Sequence, residues 1–342
     1  TSMLAVALRA AGEDPSFVVG AEVAALGAAA GHRTGRWTVL EADESDATFL
    51  VGPRAGAVVT NLEPDHLEFW GGWDALRAGF VDFVVGTDGP VALCADDAGS
   101  AGLLADVSAP GRRVVTFGTT EGATWQLLDV GLGARGSSFR LVGPDTEVAV
   151  DLPVPGLHNA LDAAGALALV GELGVDLAAA AAGLAGHTGV ARRFEHRGEQ
   201  DGVTFVDDYA HLPTEVRAAL AAGRSGGWDR VVAVFQPHRF SRTEQLGADF
   251  GPCFGDADVL VLTEIYAAGE APRPGVTGRT VLDAVRTATP GLDVRWAPSL
   301  ADVADVLAAE LRPGDLCLSI GAGDVTTVAD LVQARRGAGG GA

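Results

Sequence analysis

Lysine is missing from the whole sequence, so all 24 cationic side chains among its 342 residues belong to arginine. Within these residues, this absence excludes a lysine Schiff base, a phosphate-binding loop with its ammonium group, and a carbamylated-lysine metal ligand. Negative charge is in excess, because 45 Asp and Glu residues outnumber the 24 arginines and bring the formal net charge to −21. Proteins that bind nucleic acid or an anionic membrane surface are typically basic. We therefore expect no nucleic-acid partner.

Long apolar runs and paired cysteines are also missing. No uninterrupted apolar run approaches the ~20 residues of a membrane-spanning helix, and no signal-peptide pattern is present. Cys94, Cys253 and Cys317 lie far apart and form neither a CxxC motif nor a Cys/His zinc spacing. They predict reduced, mostly buried thiols in a cytoplasmic protein. We expect no membrane insertion, and a homo-oligomer is compatible with the sequence, which does not decide the oligomeric state.

Strand-like and helix-like segments alternate along most of the chain, which predicts an α/β fold with doubly wound parallel sheets. Residues 124–152 differ, because short strands separated by Gly and Pro predict a small antiparallel part. Two Ala-rich helices follow, and a second strand–helix series begins near residue 203. The predicted strands of the two series lie at 38–40, 57–62, 91–94, 114–117, 203–206, 231–235, 259–262, 294–296 and 316–320. The length suits two domains with separate cores.

The chain begins with a helical pattern at residues 1–10, and no strand precedes it. A domain rarely opens in the middle of its architecture. We therefore expect that another segment precedes residue 1. At the other end, the Gly-rich tail of residues 337–342 is predicted to be flexible.

Two predicted strands of the first series run directly into polar groups. One is followed by Glu41 in the run EADESDATF, and the next by Asn61 and His66 in the run TNLEPDH. Ligands of open α/β sheets gather at the carboxyl ends of strands, and carboxylates there suit Mg²⁺. We expect both strands to lie in one sheet, so that these groups converge in one crevice. The alternatives are a solvated acidic loop and a histidine that caps a helix.

The second series places ionisable groups after two further strands. Asp208, Tyr209 and His211 stand in the run VDDYAHLPTEV, where a strand passes into a helix. His238, Arg239 and Arg242 stand in the run FQPHRFSRT, after a strongly apolar strand. Such a concentration of arginine and histidine suits a small carboxylate or a phosphate. The alternative for the second run is a basic surface turn.

Three weaker motifs have both a structural and a functional interpretation. Asn159 opens a helix in PGLHNALDA, where it could cap the helix or contact a base edge. The pair Arg192 and Arg193 in ARRFE could clamp a phosphate or lie on the surface. The run GAGD after the last strand is a weak nucleotide signal, since a tight turn with an Asp cap explains it equally well.

These motifs occur in the order found in the Mur ligases of peptidoglycan synthesis, which the chain resembles from about residue 2 to residue 334. The motifs are EADESDATF, TNLEPDH, PGLHNALDA, ARRFE, DDYAHLPTEV, FQPHRFSRT, YAAGEAP and GAGD. The resemblance implies that residues 1–187 form a central ATP-binding domain with a mostly parallel sheet, and that residues 188–342 form a Rossmann-like C-terminal amino-acid-binding domain. The family's phosphate-binding loop would lie just before Thr1, so we expect no ligase activity from these residues alone.

The resemblance implies an ATP-dependent amide ligase that acts through an acyl phosphate. FQPHRFSRT and YAAGEAP favour the branch that joins L-alanine to the lactyl carboxylate of UDP-N-acetylmuramate. The alternatives are an inactive, truncated nucleotide-binding fragment and another Mur-type ligase, such as the murein tripeptide ligase.

The resemblance also implies roles for individual residues. Glu41 and His66 would bind Mg²⁺, and ATP would be bound by Asn61 near the metal, Asn159 at adenine, Arg193 and, at the ribose, Asp208. L-alanine and the acyl phosphate would be surrounded by Tyr209, His211, His238, Arg239 and Arg242. Among these, His211 and His238 would be catalytic, and the two arginines would bind the alanine carboxylate. Leu212 stands where the family commonly has a second His, which puts any role of that His in doubt.

Overall fold

The computed structural model describes residues 1–339, and it divides into two compact units. One comprises residues 1–131 and 136–188, and the other comprises residues 132–135 and the chain from residue 189 onward. Of the tail that the sequence predicts to be flexible, residues 337–339 end the last helix, and residues 340–342 lie outside the described part of the chain. Every helix in the described part is too short or too polar to cross a membrane.

The first unit contains a six-stranded sheet, a separate three-stranded sheet and helices around them. Its helices are α1 (Ser2–Ala10), α2 (Leu67–Trp70), α3 (Trp73–Val85), α4 (Ala98–Val107), α5 (Leu157–Glu172) and α6 (Leu177–Gly183). Its strands are β1 (Ser16–Val23), β2 (Ala28–Gly31), β3 (Thr38–Leu40), β4 (Ala57–Val59), β5 (Val91–Cys94), β6 (Val114–Gly118), β7 (Trp125–Gly133), β8 (Gly136–Val142) and β9 (Glu147–Leu152).

The six-stranded sheet has the order β4-β5-β6-β7-β8-β9. Its first four strands are parallel, and β8 and β9 pair antiparallel, which confirms the predicted mixture of a parallel sheet with a small antiparallel part. One face of β5 packs against α3 and α4 through Leu93, Leu76 and Leu103. The helix α5 covers the other face so closely that a Cβ on Gly165 would lie 2.7 Å from the ring of Phe117. A glycine is therefore required where this helix crosses the sheet.

The three-stranded sheet corrects one prediction. Strand β3 pairs parallel with β1, in a sheet of order β2-β1-β3, and has no place in the sheet that contains β4. The prediction that the strand before Glu41 and the strand before His66 lie in one sheet is therefore wrong. Strands β1 and β2 were not predicted. The later strands were therefore the only predicted elements with which β3 could share a sheet.

The second unit contains one six-stranded sheet with helices on both faces. Its helices are α7 (Pro213–Ser225), α8 (Phe240–Leu246), α9 (Gly278–Ala288), α10 (Leu300–Glu310) and α11 (Val328–Gly339). Its strands are β10 (Glu195–Gln200), β11 (Val203–Asp208), β12 (Arg230–Phe235), β13 (Val259–Leu262), β14 (Asp293–Trp296) and β15 (Asp315–Ile320).

The order of this sheet is β10-β11-β15-β12-β13-β14, and all pairs except β10–β11 are parallel. Side chains along a strand alternate between its two faces. On β12, Ala233 and Phe235 pack in the cluster with α7 and α9, and Val232 and Val234 pack in the cluster with α10 and α11. Both faces are therefore buried, as expected for a doubly wound sheet, and the polar groups lie at the strand ends.

Candidate functional site

The loops that follow β12, β13 and β15 are joined by hydrogen bonds. The backbone N–H of Tyr266 donates to the carbonyl of Pro237, and the N–H of Arg239 donates to the carbonyl of Tyr266, each at 2.9 Å. The side chain of Gln236 connects this pair to the loop after β15, because its Nε2 donates to Asp324 Oδ1 at 2.7 Å. The carboxyl ends of these parallel strands therefore support one connected group of loops.

Two histidines and two tyrosines contact one another on this group of loops. The ring of His238 stacks on that of Tyr266, with centroids 5.8 Å apart and an angle of 11° between the planes. The edge of His211 meets His238 at a centroid distance of 5.8 Å, and Tyr209 meets His211 at 5.4 Å. The structure thus brings together three residues that were predicted from the sequence and adds Tyr266.

His238 is held in its neutral form. Arg242 Nη1 lies 3.1 Å from His238 Nδ1, and a guanidinium can only donate, so Nδ1 is an acceptor and the proton resides on Nε2. Burial is the largest cause that lowers the pKa of His238 to about 4. Repulsion from His211, Arg242 and Arg239 acts in the same direction. At neutral pH this imidazole therefore offers an N–H from Nε2.

Arg239 has a strained backbone and a buried Nε. Its φ of 67° lies in the left-handed region, which costs a non-glycine residue about 1–3 kcal/mol. The strain is held by two hydrogen bonds, since its carbonyl accepts from both the N–H and the Oγ1 of Thr243, at 3.1 and 2.8 Å. Among the described residues, the buried Nε of Arg239 has no hydrogen-bond acceptor. A guanidinium in this condition is suited to an anionic ligand.

The arginine pair before β10 has divided roles. Arg192 donates to Asp207 Oδ2 at 3.0 Å and to the carbonyl of Gly321 at 2.7 Å, so it connects the end of β11 to the loop after β15. The guanidinium of Arg193 is half-exposed. Both guanidinium groups lie against the ring of Tyr209, at 4.9 Å for Arg192 and 5.3 Å for Arg193. Arg192 thus has a structural role, and Arg193 is the member of the pair that remains accessible to a ligand.

Asp208 is engaged by the backbone. Its Oδ2 accepts from the N–H of Phe194 and its Oδ1 from the N–H of Ala210, each at 2.8 Å. Burial raises the pKa of Asp208 to about 6, although these hydrogen bonds oppose the rise. The carboxylate, in a residue that is 5% exposed, therefore fixes the backbone at Phe194 and Ala210. Its contact with a ribose stays a prediction.

Glu270 and Gly323 were not identified from the sequence as functional residues. Glu270 accepts from the N–H of Ser241 at 2.9 Å and from its Oγ at 2.6 Å, and so fixes the start of α8. A Cβ on Gly323 would lie 2.5 Å from both Gln236 Oε1 and Tyr266 Cγ. The motifs YAAGEAP and GAGD contain these residues, but their partners lie in distant parts of the sequence.

The first unit contains a candidate metal cluster. One ligand atom from each of Glu44, Asp65 and His66 lies within 4.8 Å of the other two. Burial raises the pKa of Glu44. Glu41 lies outside this cluster, because its carboxylate accepts from the N–H of Gly20 at 3.0 Å. The structure thus places His66 beside Glu44 and Asp65, and the predicted pairing of His66 with Glu41 stays a prediction.

The two asparagines predicted to serve ATP have local partners. Asn61 is exposed and its Nδ2 donates to Glu63 Oε1 at 3.1 Å. Asn159 lies in the first turn of α5, where its Nδ2 donates to the carbonyl of Pro155 at 2.7 Å and lies 3.1 Å from His158 Nε2. Their roles toward a nucleotide stay predictions.

Comparison with known families accounts for both units. The chain matches the Mur ligase middle domain over residues 28–170 and the domain described as "Mur ligase, glutamate ligase domain" over residues 192–323. The chain belongs to the Mur ligase family.

Relatives of this Mur ligase chain are similar across nearly all of its length. It is 44% identical over 329 residues to the UDP-N-acetylmuramate–L-alanine ligase of Renibacterium salmoninarum, an alignment that covers 95% of this chain and 69% of that protein. It is 47% identical over 332 residues to the enzyme of the same name from Kineococcus radiotolerans, covering 96% of this chain and 70% of that protein. The Mur ligase chain therefore spans about seven tenths of the length of these relatives.

A solved structure supports the fold assignment. The crystal structure of UDP-N-acetylmuramate-alanine ligase from Thermotoga maritima aligns with a TM-score of 0.79 and 25% identity. The alignment covers 99% of this Mur ligase chain and 72% of that chain. The predicted α/β fold, a Mur-type central domain followed by a Rossmann-like domain, is confirmed.

Proposed function

We propose that the protein containing this chain is an ATP-dependent ligase that joins L-alanine to the lactyl carboxylate of UDP-N-acetylmuramate, a step of peptidoglycan synthesis. The observation that carries the proposal is the identity of 44–47% across both units with relatives that bear this activity in their names. We place the reaction in the cytoplasm, because ATP and UDP-N-acetylmuramate are nucleotides and the described cysteines are free and buried.

The second unit supplies the amino-acid site in this proposal. Arg239 has a buried N–H without an acceptor among the described residues, and Arg242 lies close enough to lower the pKa of His238. Two guanidinium groups provide charge-assisted hydrogen bonds to the carboxylate of L-alanine. The N–H on His238 Nε2 is a further donor to that carboxylate or to the acyl phosphate. Because His238 stacks on Tyr266 and contacts Arg242 through Nδ1, these groups are positioned before the ligand binds.

The chemical step requires a neutral amine and stabilisation of negative charge. The ammonium of L-alanine must lose a proton before its nitrogen can attack the acyl phosphate, which is a task for a neutral imidazole. Charge on the departing phosphate and on the tetrahedral intermediate requires cationic or donating groups. We assign the phosphate side to Arg193, whose guanidinium is half-exposed beside Tyr209. The site therefore contains the groups that both requirements demand.

The candidate metal cluster fits Mg²⁺ by its donor chemistry. Two carboxylates and one imidazole are within 4.8 Å of one another, and carboxylate oxygens are preferred ligands of this ion. Glu44, Asp65 and His66 would hold the ion. Glu41, the carboxylate that the family resemblance implies, is the alternative ligand. Bound Mg²⁺ supplies neutralisation of the phosphate charges of ATP. Asn61, Asn159 and Asp208 remain the proposed contacts of the nucleotide.

The proposal is tested by phosphate release from ATP in the full-length gene product. We expect release that requires both UDP-N-acetylmuramate and L-alanine, with glycine and L-serine less effective. Release driven by a murein tripeptide instead of L-alanine would assign the protein to the other branch. No release with any amino acid or peptide would favour an inert nucleotide-binding protein. The 342-residue chain, measured in parallel, tests the expectation that these residues alone are inactive.

A further inference from the structure

Glu215 occupies a central position in the loop between β11 and α7. It lies in the first turn of α7, and its Oε2 accepts from the backbone N–H of His211 at 2.8 Å and of Leu212 at 3.1 Å. Leu212 is extended because Pro213 follows it, so this loop cannot continue the helix backward. The carboxylate therefore caps the helix and fixes the backbone that carries His211.

The same carboxylate faces the imidazole of His211. Glu215 Oε2 lies 3.3 Å from His211 Nδ1, and the carbonyl of Tyr209 lies 3.0 Å from the same nitrogen. Both neighbours are acceptors, so Nδ1 carries the proton in the neutral ring and Nε2 is the basic nitrogen. A carboxylate beside Nδ1 also favours the imidazolium that forms when Nε2 takes up a proton.

The charged surroundings of the two histidines are opposite. His211 faces Glu215 on α7, the ring of Tyr209 on its own loop and the ring of His238 from the loop after β12. His238 faces the guanidinium of Arg242 through its Nδ1. One imidazole is thus next to an anion and has a basic Nε2, and the other is next to a cation and carries its proton on Nε2.

We propose that Glu215 is a positioning residue that makes His211, and not His238, the base that receives the ammonium proton of the incoming amino acid. The inference rests on the proposed function and adds the reason why His211 Nε2 is basic, which the sequence motifs do not show. Glu215 acts through its contact with His211 and touches no substrate in this assignment. Its second oxygen, Oε1, lies 3.8 Å from Arg193 Nη1, so the carboxylate also joins the base to the arginine on the phosphate side.

The proton balance is simple. The ammonium group gives one proton to His211 Nε2, and the amine lone pair then forms the C–N bond to the acyl carbon. When the tetrahedral intermediate collapses, the bond from carbon to the phosphate oxygen breaks and phosphate leaves with the electron pair. The attacking nitrogen loses its second proton, which the departing phosphate accepts. No oxidant or further reactant is required.

The test is the substitution Glu215→Gln in the full-length protein. A glutamine oxygen can still accept from the two backbone N–H groups, so the helix cap is retained while the charge is lost. We expect kcat to fall about tenfold to a hundredfold. We also expect the acidic limb of the pH profile of kcat to move down by about one pH unit, because a neighbouring anion has been removed. The KM for ATP should change much less than kcat, because the Glu215–Arg193 pair is long and partly exposed.

A direct measurement separates positioning from simple structural support. Imidazole ¹⁵N resonances, with those of His211 and His238 assigned by His211→Gln and His238→Gln, should show the proton of neutral His211 on Nδ1 and that of His238 on Nε2. In Glu215→Gln, the titration of His211 should move to lower pH. Asp302→Asn is the matched control, since Asp302 also caps a helix of this unit, by accepting from the N–H and Oγ of Ser299 at 3.1 and 2.6 Å. It should leave the His211 titration in place.

The outcomes distinguish the inference from the proposed function. If the parent protein releases phosphate with L-alanine but Glu215→Gln leaves both the pH profile and the His211 titration unchanged, the inference is wrong and the function stands. A shift of the acidic limb in His238→Gln, with none in Glu215→Gln, would equally assign the base to His238. If the parent shows no amino-acid-dependent release, the proposed function fails and the base assignment fails with it.

Discussion

Replacement of Arg242 by alanine should impair L-alanine binding and change the protonation of His238 together. An arginine–carboxylate hydrogen bond contributes roughly 1.5–3 kcal/mol. Since 1.4 kcal/mol corresponds to a factor of ten, the KM for L-alanine should rise about tenfold to a hundredfold, while the KM for ATP changes little. The same substitution removes the donor to His238 Nδ1 and one of the positive charges that lower the pKa of His238 to about 4. That pKa should therefore rise toward 6.5.

The assay is steady-state phosphate release from the full-length protein with L-alanine varied, together with an NMR titration of His238. Arg224→Ala is the matched control, because it removes one positive charge from a partly exposed pair with Asp258 in the same unit. The control should alter neither quantity. An increase in the KM for ATP, with that for L-alanine unchanged, would place Arg242 at the phosphate site. An unmoved His238 titration would refute the contact between the two side chains.

Three further predictions concern other parts of the chain. Arg230→Ala should lower the free energy of unfolding by about 3–5 kcal/mol in urea titrations, because it leaves buried Asp315 without its cation; a loss below 1 kcal/mol would contradict this. The pKa of Asp208 is raised from 3.8 to about 6 in the folded protein, so folding favours the protonated carboxyl. Relative to high pH, protonated Asp208 should stabilise the fold by about 3 kcal/mol. This contribution is complete below pH ~4 and lost as the pH rises through about 6, and Asp208→Asn should abolish this pH dependence. His66→Ala should raise the Mg²⁺ concentration for half-maximal activity about tenfold, and an unchanged value would exclude His66 as a ligand.

Much of the fold could be predicted from the sequence because its strongest patterns are local. The strands at 91–94 and 259–262 have the predicted bounds. Apolar runs between Gly, Pro and polar residues mark such elements without knowledge of their neighbours. Sheet membership is different, because it depends on pairing between distant segments. The strand at 38–40 was assigned to the wrong sheet because its partner, the strand Ser16–Val23, was not recognised. Burial alternates along this partner strand in the structure, but the exposed Val18 is apolar and hides the alternation in the sequence.

The candidate site shows the same division between local and distant information. The order of the motifs predicted that Tyr209, His211 and His238 come from one site, and the structure brings their rings into contact. The motif order could not show which nitrogen of each histidine carries the proton, because that depends on acceptors and donors such as Glu215 and Arg242. These partners are visible only when the side chains are placed.

The metal cluster illustrates how side-chain direction escapes the sequence. Glu41 and Glu44 stand three residues apart after the same strand, and nothing in the motif distinguishes them as ligands. In the structure Glu41 accepts from the N–H of Gly20, in a strand that the sequence did not reveal. Glu44 lies beside Asp65 and His66.

The central claim is tested most directly by identification of the product that the full-length protein makes. Equal concentrations of isotope-labelled L-alanine and unlabelled murein tripeptide are offered with ATP, Mg²⁺ and UDP-N-acetylmuramate, and the nucleotide-linked product is analysed by mass spectrometry. We predict a single product in which one labelled alanine is joined to UDP-N-acetylmuramate through an amide, with one ADP and one phosphate released per amide. A product that contains the tripeptide, or ATP hydrolysis without any new amide, would contradict the proposed activity.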